Sequence, residues 1–233
     1  MRGRLLGAIT FVLCAATSHA DPETVHVESS AIDGIWRFDF PSDVRLDLMQ
    51  SAHFGPMAKR YCRIESTSGQ IAVRCIAPDF FRIEGTAEIQ QNQVHLSLGS
   101  ALARHVIDAT LDDAFHMTGT YAVRVMGIRH DAPGPSAGEK IRPTDVPSQG
   151  ADDLAFRQTL QGLMESTSTK FMPPIERQAL GAIQAVIYLG QTTTVGAKTP
   201  QVFNVYQVEF SSGERLCGWH HRDETAMGGV VCV

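Results

Sequence analysis

Apolar and polar positions alternate with a period of two from Ile35 to about Ile128. In the first of these segments Trp36, Phe38 and Phe40 alternate with charged residues. Turn signals interrupt the alternation every eight to twelve residues or so, which is typical of an antiparallel meander. The pattern therefore predicts about eight antiparallel strands, each with one apolar face.

Turn residues set the register of two of these predicted hairpins. Folding the chain about Ser68-Gly69 or about Gln91-Asn92 places apolar side chains opposite each other on one face. The opposed pairs are Cys62 with Cys75, Ile64 with Val73, Ile89 with Val94, Ala87 with Leu96 and Gly85 with Leu98. The next hairpin requires a loop at residues 112–114. That loop pairs Leu111 with Phe115, Ala109 with Met117 and Ile107 with Gly119.

A meander with one apolar face closes as a barrel or folds over as a sandwich, because open strand edges invite aggregation. We favour an antiparallel barrel over residues 31–130. Its aromatic side chains should line the inside, where they either fill the barrel or bound a small cavity for an apolar ligand. These side chains are Trp36, Phe38, Phe40, Phe115 and Tyr121.

The pattern changes after the meander. Proline and glycine crowd residues 131–150, which predicts a linker. Residues 151–233 then predict a small α+β domain, with helices on one face of a curved antiparallel sheet. The expected helices span 152–165 and 174–181, and the expected strands span 183–191, 202–210, 214–221 and 229–233. The first helix carries an apolar stripe made of Phe156, Leu160, Leu163 and Met164.

Four of the five cysteines form two pairs, and each pair is symmetric about a turn. Cys62 and Cys75 flank residues 68–69, and Cys217 and Cys232 flank residues 224–225. Directly opposed residues of antiparallel strands lie within disulfide distance. We therefore expect one structural disulfide in each module, which indicates folding in an oxidising compartment.

Residues 1–20 have the composition of a secretion signal. Arg2 and Arg4 precede an apolar run over 5–16, and Ser18-His19-Ala20 offers small residues to a signal peptidase. This predicts a periplasmic or secreted bacterial protein with no membrane span. Cleavage moves the formal net charge from −5 to −7. An acidic chain shows no electrostatic footprint for nucleic acid or for anionic lipid.

Two motifs raise the question of catalysis. Residues 134–138 match the nucleophile elbow of serine hydrolases, but that chemistry needs a strained strand-to-helix turn and these residues lie in the predicted linker. His220 and His221 lie in the densest titratable cluster, yet adjacent residues of a strand point to opposite faces and cannot clamp one metal ion. One histidine on the concave face can act as a general base with Tyr206. The alternative is a solvated hairpin tip with one packed histidine. No metal or cofactor is expected.

The opening Gly34-Ile35-Trp36 resembles the Gly-x-Trp start of lipocalin-like barrels, over about residues 32–130. In lipocalins an arginine of the last strand covers this tryptophan, and Arg124 or Arg129 is placed to do so. The resemblance implies an up-and-down barrel and carriage of a small hydrophobic molecule.

The segments 180–186 and 206–210 are similar to small NTF2-like modules appended to bacterial secreted proteins. The similarity implies helices cupping a curved sheet, in modules that mostly bind or scaffold. Some free-standing relatives are enzymes that use an Asp, His or Tyr in the cone. The usual Asp-Gly turn before the last strand is replaced here by residues 226–229.

These observations favour a non-catalytic binding protein for a partner protein or a small apolar ligand. The first alternative is an NTF2-like enzyme that uses His220 or His221 with Tyr206. The second is a periplasmic inhibitor or immunity protein, whose rigid hairpins enter a cleft of its target.

Overall fold

The computed structural model describes residues 29–39, 59–76, 82–99, 103–129, 134–142, 151–166, 174–193, 202–220 and 229–233. These residues form a closed antiparallel barrel, a separate antiparallel sheet and two helices. The barrel strands are β1 (Gly34–Asp39), β2 (Lys59–Thr67), β3 (Gln70–Ile76), β4 (Arg82–Gln90), β5 (Gln93–Gly99), β6 (Ala103–Leu111), β7 (His116–Val125), β8 (Ile128–Arg129) and β9 (Gly134–Lys140). The helices are α1 (Ala151–Glu165) and α2 (Pro174–Leu180), and the second sheet contains β10 (Ile183–Thr193), β11 (Val202–Phe210), β12 (Gly213–His220) and β13 (Gly229–Cys232).

Eight strands close the barrel, in the up-and-down order that the alternation predicts. Strands β1 to β7 pair in sequence, and β9 closes the barrel between β7 and β1. Among the described strands, the short β8 pairs only with the end of β7. The fold is consistent with a lipocalin-like barrel.

The prediction of a linker over 131–150 is wrong for residues 134–140, which form the closing strand β9. A Cβ at Gly138 would lie 2.6 Å from Cγ of Met117 and 2.8 Å from Cε1 of Phe38. Glycine is needed here because two bulky interior side chains pack over the closing strand. Close packing inside the barrel therefore accounts for the glycine at 138, which the sequence pattern assigned to a linker.

Both predicted hairpin registers are confirmed, from Cys62 opposite Cys75 to Gly85 opposite Leu98. The register of the β6–β7 hairpin differs from the prediction by two residues, because Leu111 faces Met117 and Phe115 lies in the loop. The Asp113 carboxylate accepts the backbone N–H groups of Phe115 and His116 and so stabilises the longer loop. Because side chains alternate between the two faces of a strand, a register shift of two residues leaves the paired side chains on the faces that the pattern predicts.

One apolar cluster occupies the inside of the barrel. It contains the disulfide between Cys62 and Cys75, and the indole N–H of Trp36 donates to the carbonyl of Ile32 at 2.7 Å. Ile32 belongs to the 3-10 helix Ser29–Ile32 that precedes β1. Arg124, which the lipocalin resemblance placed over Trp36, is exposed on the outer face instead.

The small sheet is buried on both of its faces. The helix side packs against the predicted stripe of α1 and contains the second disulfide, between Cys217 and Cys232. The other side packs against the outer wall of the barrel. That second contact consists of Ile35, Tyr61 and Ile76 from the barrel and Leu189, Phe203, Val205, Leu216, Val231 and Val233 from the sheet segment. We call it the docking cluster.

Two glycines of the sheet let the barrel approach closely. A Cβ at Gly190 would lie 2.5 Å from the hydroxyl oxygen of Tyr61, and one at Gly218 would lie 2.8 Å from Cγ2 of Ile76. The Thr192 hydroxyl adds a polar link, because it donates to the carbonyl of Lys59 at 2.6 Å. The barrel and the sheet are therefore packed against each other.

Both predicted disulfides are present, with Cα–Cα distances of 4.0 and 4.1 Å. Two such bonds fit an extracellular or periplasmic protein. Neither of the described helices has the length and apolar character needed to cross a bilayer. The predicted leader, residues 1–20, lies outside the described residues.

Candidate binding cleft between the barrel and the sheet

The structure separates the histidine and tyrosine that were predicted to act together. Tyr206 lies on the helix side of the sheet, where its ring stacks on Phe156 with centroids 4.0 Å apart. His220 lies on the opposite, barrel-facing side against the ring of Phe203, at 5.0 Å. Because they occupy opposite faces, His220 and Tyr206 cannot form an acid–base pair. His221 lies outside the described residues, so its pairing with Tyr206 stays a prediction.

The environment of Tyr206 is that of a core residue. Its side chain is fully buried, and burial together with the nearby carboxylates of Asp153 and Asp152 raises the pKa of its hydroxyl well above the ordinary range. The hydroxyl therefore stays protonated at neutral pH.

The aromatic residues predicted inside the barrel divide into two groups. Trp36, Phe38 and Tyr121 are buried in the barrel cluster, and the first two stack with centroids 6.4 Å apart. Phe115 is 37% exposed and lies under the guanidinium of Arg142, 4.7 Å from the ring centroid. The expectation that Phe115 lines the inside is wrong, because the longer β6–β7 loop carries it out of the strand. Phe40 lies outside the described residues.

The elbow-like segment is extended. Gly134–Lys140 is a strand whose Ser136 is directly opposite Gly119 of β7. A nucleophile elbow needs a sharp strand-to-helix turn, which an extended strand does not provide. Ser136 is a buried serine of the closing strand.

Three polar side chains, those of His105, Tyr121 and Arg60, are buried together at one end of the barrel interior. Nδ1 of His105 lies 2.7 Å from the hydroxyl of Tyr121, and Arg60 is 1% exposed. Burial, followed by the nearby charge of Arg60, lowers the pKa of His105 to about 3. His105 is therefore neutral at physiological pH.

Acid should weaken the fold through His105. Its pKa is about 3 in the folded protein and 6.5 as a free group, so the folded state binds fewer protons between these values. Stability then falls as the pH drops below about 6.5, by at most about 1.4 kcal/mol per pH unit. When the free energy of unfolding in urea is measured across this pH range, it should fall more steeply with decreasing pH in the native protein than in His105→Gln. Equal slopes for the two proteins would contradict this assignment.

A cleft of about 510 Å³ opens where the docking cluster ends. Its barrel wall is formed by residues 33–35, 63–67 and 140–141, and its sheet wall by Gln207 and Glu214. The strand faces that form the docking cluster continue into the cleft, where they become polar. On the outer face of β2, Tyr61 of the docking cluster is followed by Arg63 and Glu65. The cleft is thus the polar continuation of the contact between barrel and sheet.

Charged side chains of both signs are fixed around this cleft. Glu65 bridges Arg63 and Arg74, each at 2.8 Å. Nη1 of Arg63 is buried and has no hydrogen-bond partner among the described residues. On the same barrel wall, the Asp33 carboxylate accepts the backbone N–H of Ser66 at 2.7 Å, and the Lys140 ammonium donates to the carbonyl of Ala31 at 3.2 Å.

This arrangement suits recognition of a polar ligand. Its volume lies in the range of about 300–1,000 Å³ that is usual for binding sites, which often form where two modules meet. Within the described parts of the chain, no group of three or more His, Cys, Asp or Glu side chains is placed to hold a metal ion.

Sequence reasoning missed this cleft because it joins residues far apart in the chain. One signal pointed toward it: β11 has apolar residues on both faces, as in strands buried on both sides. That signal indicates a second packing partner for the sheet, but it does not identify the barrel.

A scan of the chain against protein-family models finds no match, and a search of curated proteins finds no match either.

Proposed function

We propose that this chain is a non-catalytic binding protein and that the cleft between barrel and sheet holds an extended polar segment of a partner protein. The observation that carries this proposal is the cleft itself, whose barrel wall presents fixed charges of both signs beside the ends of β1 and β2. Peptide groups and charged side chains of a partner supply the hydrogen bonds that such walls require.

The lining favours a peptide over a small apolar ligand. An apolar molecule would displace water from Arg63, Glu214 and Lys140 without replacing its hydrogen bonds, which costs free energy. The barrel interior offers less support for carriage of such a molecule, because Trp36 and Phe38 are fully buried among neighbouring side chains.

The two disulfides support a location in the periplasm or outside the cell, and we propose that residues 1–20 are the cleaved export signal. A partner in the same compartment is then required. An inhibitor or immunity role is one form of this binding function, and the identity of the captured partner distinguishes it.

Crosslinking from inside the cleft tests the proposal. A photoreactive residue replaces Glu214 in the native host, and the same residue replaces Glu165, an exposed residue of α1, as a control. We expect a specific covalent partner from position 214 and none from position 165. Equal capture at the two positions would contradict a partner site in the cleft.

The captured partner then allows a quantitative measurement. The double variant Lys140→Glu/Glu214→Lys reverses one charge on each wall and should weaken binding by about tenfold or more. The single variant Glu165→Lys should leave the affinity unchanged. An unchanged affinity in the double variant would contradict the proposal.

A further inference from the structure

Arginines occupy three neighbouring register positions on β6, β7 and β8, near one end of the barrel. Arg104 of β6 is directly opposite Arg124 of β7, and Arg124 is directly opposite Arg129 of β8. Cα atoms of opposed residues are about 4.5–5.5 Å apart, and like charges in such positions repel. Arg104 and Arg124 are both exposed, and neither forms an ion pair within the described segments. We call these three residues the arginine row.

The hairpin next to the row exposes two large apolar side chains. Met126 is 73% exposed and Ile128 is 75% exposed. Met126 has a φ of 51°, a left-handed conformation that glycine and asparagine adopt far more readily than methionine. Gly127 follows with a φ of 80°, so both turn residues are left-handed. The tight turn therefore presents Met126 to solvent at a cost in stability.

We propose that the arginine row and the Met126–Ile128 tip together dock on the surface of an anionic phospholipid membrane. Arg104 and Arg124 contact lipid phosphates, and the two apolar side chains enter the boundary between headgroups and acyl chains. An anion between opposed arginines removes their repulsion, and apolar side chains beyond the last β6–β7 pair gain free energy by leaving water. A free phosphate ion would satisfy the arginines but not the tip.

The net charge of the chain gives no indication of the arginine row. The chain has a formal net charge of −5, from which no attraction to anionic lipid is expected. Salt screens electrostatic interactions beyond about 8–10 Å. A local row of cations can therefore attract an anionic surface even though the net charge of the chain is negative. The acidic residues of the chain are repelled by an anionic surface, so the protein should orient with the arginine row toward the membrane.

Vesicle sedimentation of the signal-free chain tests this proposal. The two vesicle types are phosphatidylcholine alone and phosphatidylcholine mixed with phosphatidylglycerol. We expect binding to the mixed vesicles, weakened by added salt, and little binding to phosphatidylcholine alone. Equal binding to the two types, or binding to neither, would overturn the proposal.

Variants separate the two parts of the surface. Arg104→Gln/Arg124→Gln should weaken binding to the mixed vesicles by about thirtyfold, because each arginine near an anionic surface contributes roughly a fivefold gain. The charge-matched control is Arg157→Gln/Arg215→Gln, which should bind as the native chain does.

The apolar tip is tested in the same way. Met126→Asn/Ile128→Thr should also lose most of its vesicle binding, whereas Leu154→Gln, which removes an exposed leucine from α1, should not. Asparagine suits the left-handed position, so the hairpin is preserved. If the tip variant binds vesicles normally while inorganic phosphate competes with them, the site recognises an anion alone and the membrane proposal is wrong.

Discussion

Replacing Gly119 by alanine should destabilise the protein by about 3 kcal/mol or more. A Cβ at this position would overlap the carbonyl oxygen of Asp108 and lie 2.5 Å from Cα of Ala109. Both atoms belong to the backbone of β6, so no side chain can rotate to relieve the overlap. The β6–β7 pairing must therefore open, and urea unfolding should show the loss directly.

The matched control is Gly162→Ala. Gly162 lies in α1, and a Cβ there meets no atom within 4 Å. Alanine favours a helix over glycine by about 0.8–1.0 kcal/mol, so this variant should gain stability. Equal small effects at the two glycines would contradict the close approach of β6 and β7.

Replacing Phe203 by alanine should cost about 3–5 kcal/mol. Phe203 is a fully buried member of the docking cluster, and its ring contacts His220. The cavity left by the ring would open between the barrel and the sheet, so the lost stability measures the contribution of their contact. Urea unfolding measures that lost stability. The cleft should be lost together with the contact.

The neighbouring residue provides the control. Val202 is 46% exposed and precedes Phe203 in the same strand. Val202→Ala should change the free energy of unfolding by less than about 0.5 kcal/mol. A similarly small effect of Phe203→Ala would mean that the sheet does not depend on the barrel.

Local features of the fold were readable from the sequence. The Ser68-Gly69 turn fixes a register that alternation then checks, because a slip of one residue would turn every apolar side chain outward. The strands and helices after residue 150 were also predictable, because their observed ends lie within two residues of the predicted ends.

Contacts between distant segments were not readable. The closing strand β9 contains glycine and proline, and the space it occupies is set by Phe38 and Met117 elsewhere in the chain. The β6–β7 register depends on hydrogen bonds from the backbone to the Asp113 side chain, and the alternation of apolar and polar residues gives no information about such bonds. The candidate cleft has the same origin, since residues from about 33 and 214 meet only after the sheet docks on the barrel.

The central claim is that the sheet is docked on the barrel, because the cleft exists only in that arrangement. Both disulfides are local, so a protease site introduced within residues 143–150 severs the only covalent link between the two parts. Gel filtration of the cleaved, unreduced protein then measures whether they remain together. The account predicts that the two fragments elute as one species of native size, and their elution as two separate species would contradict it.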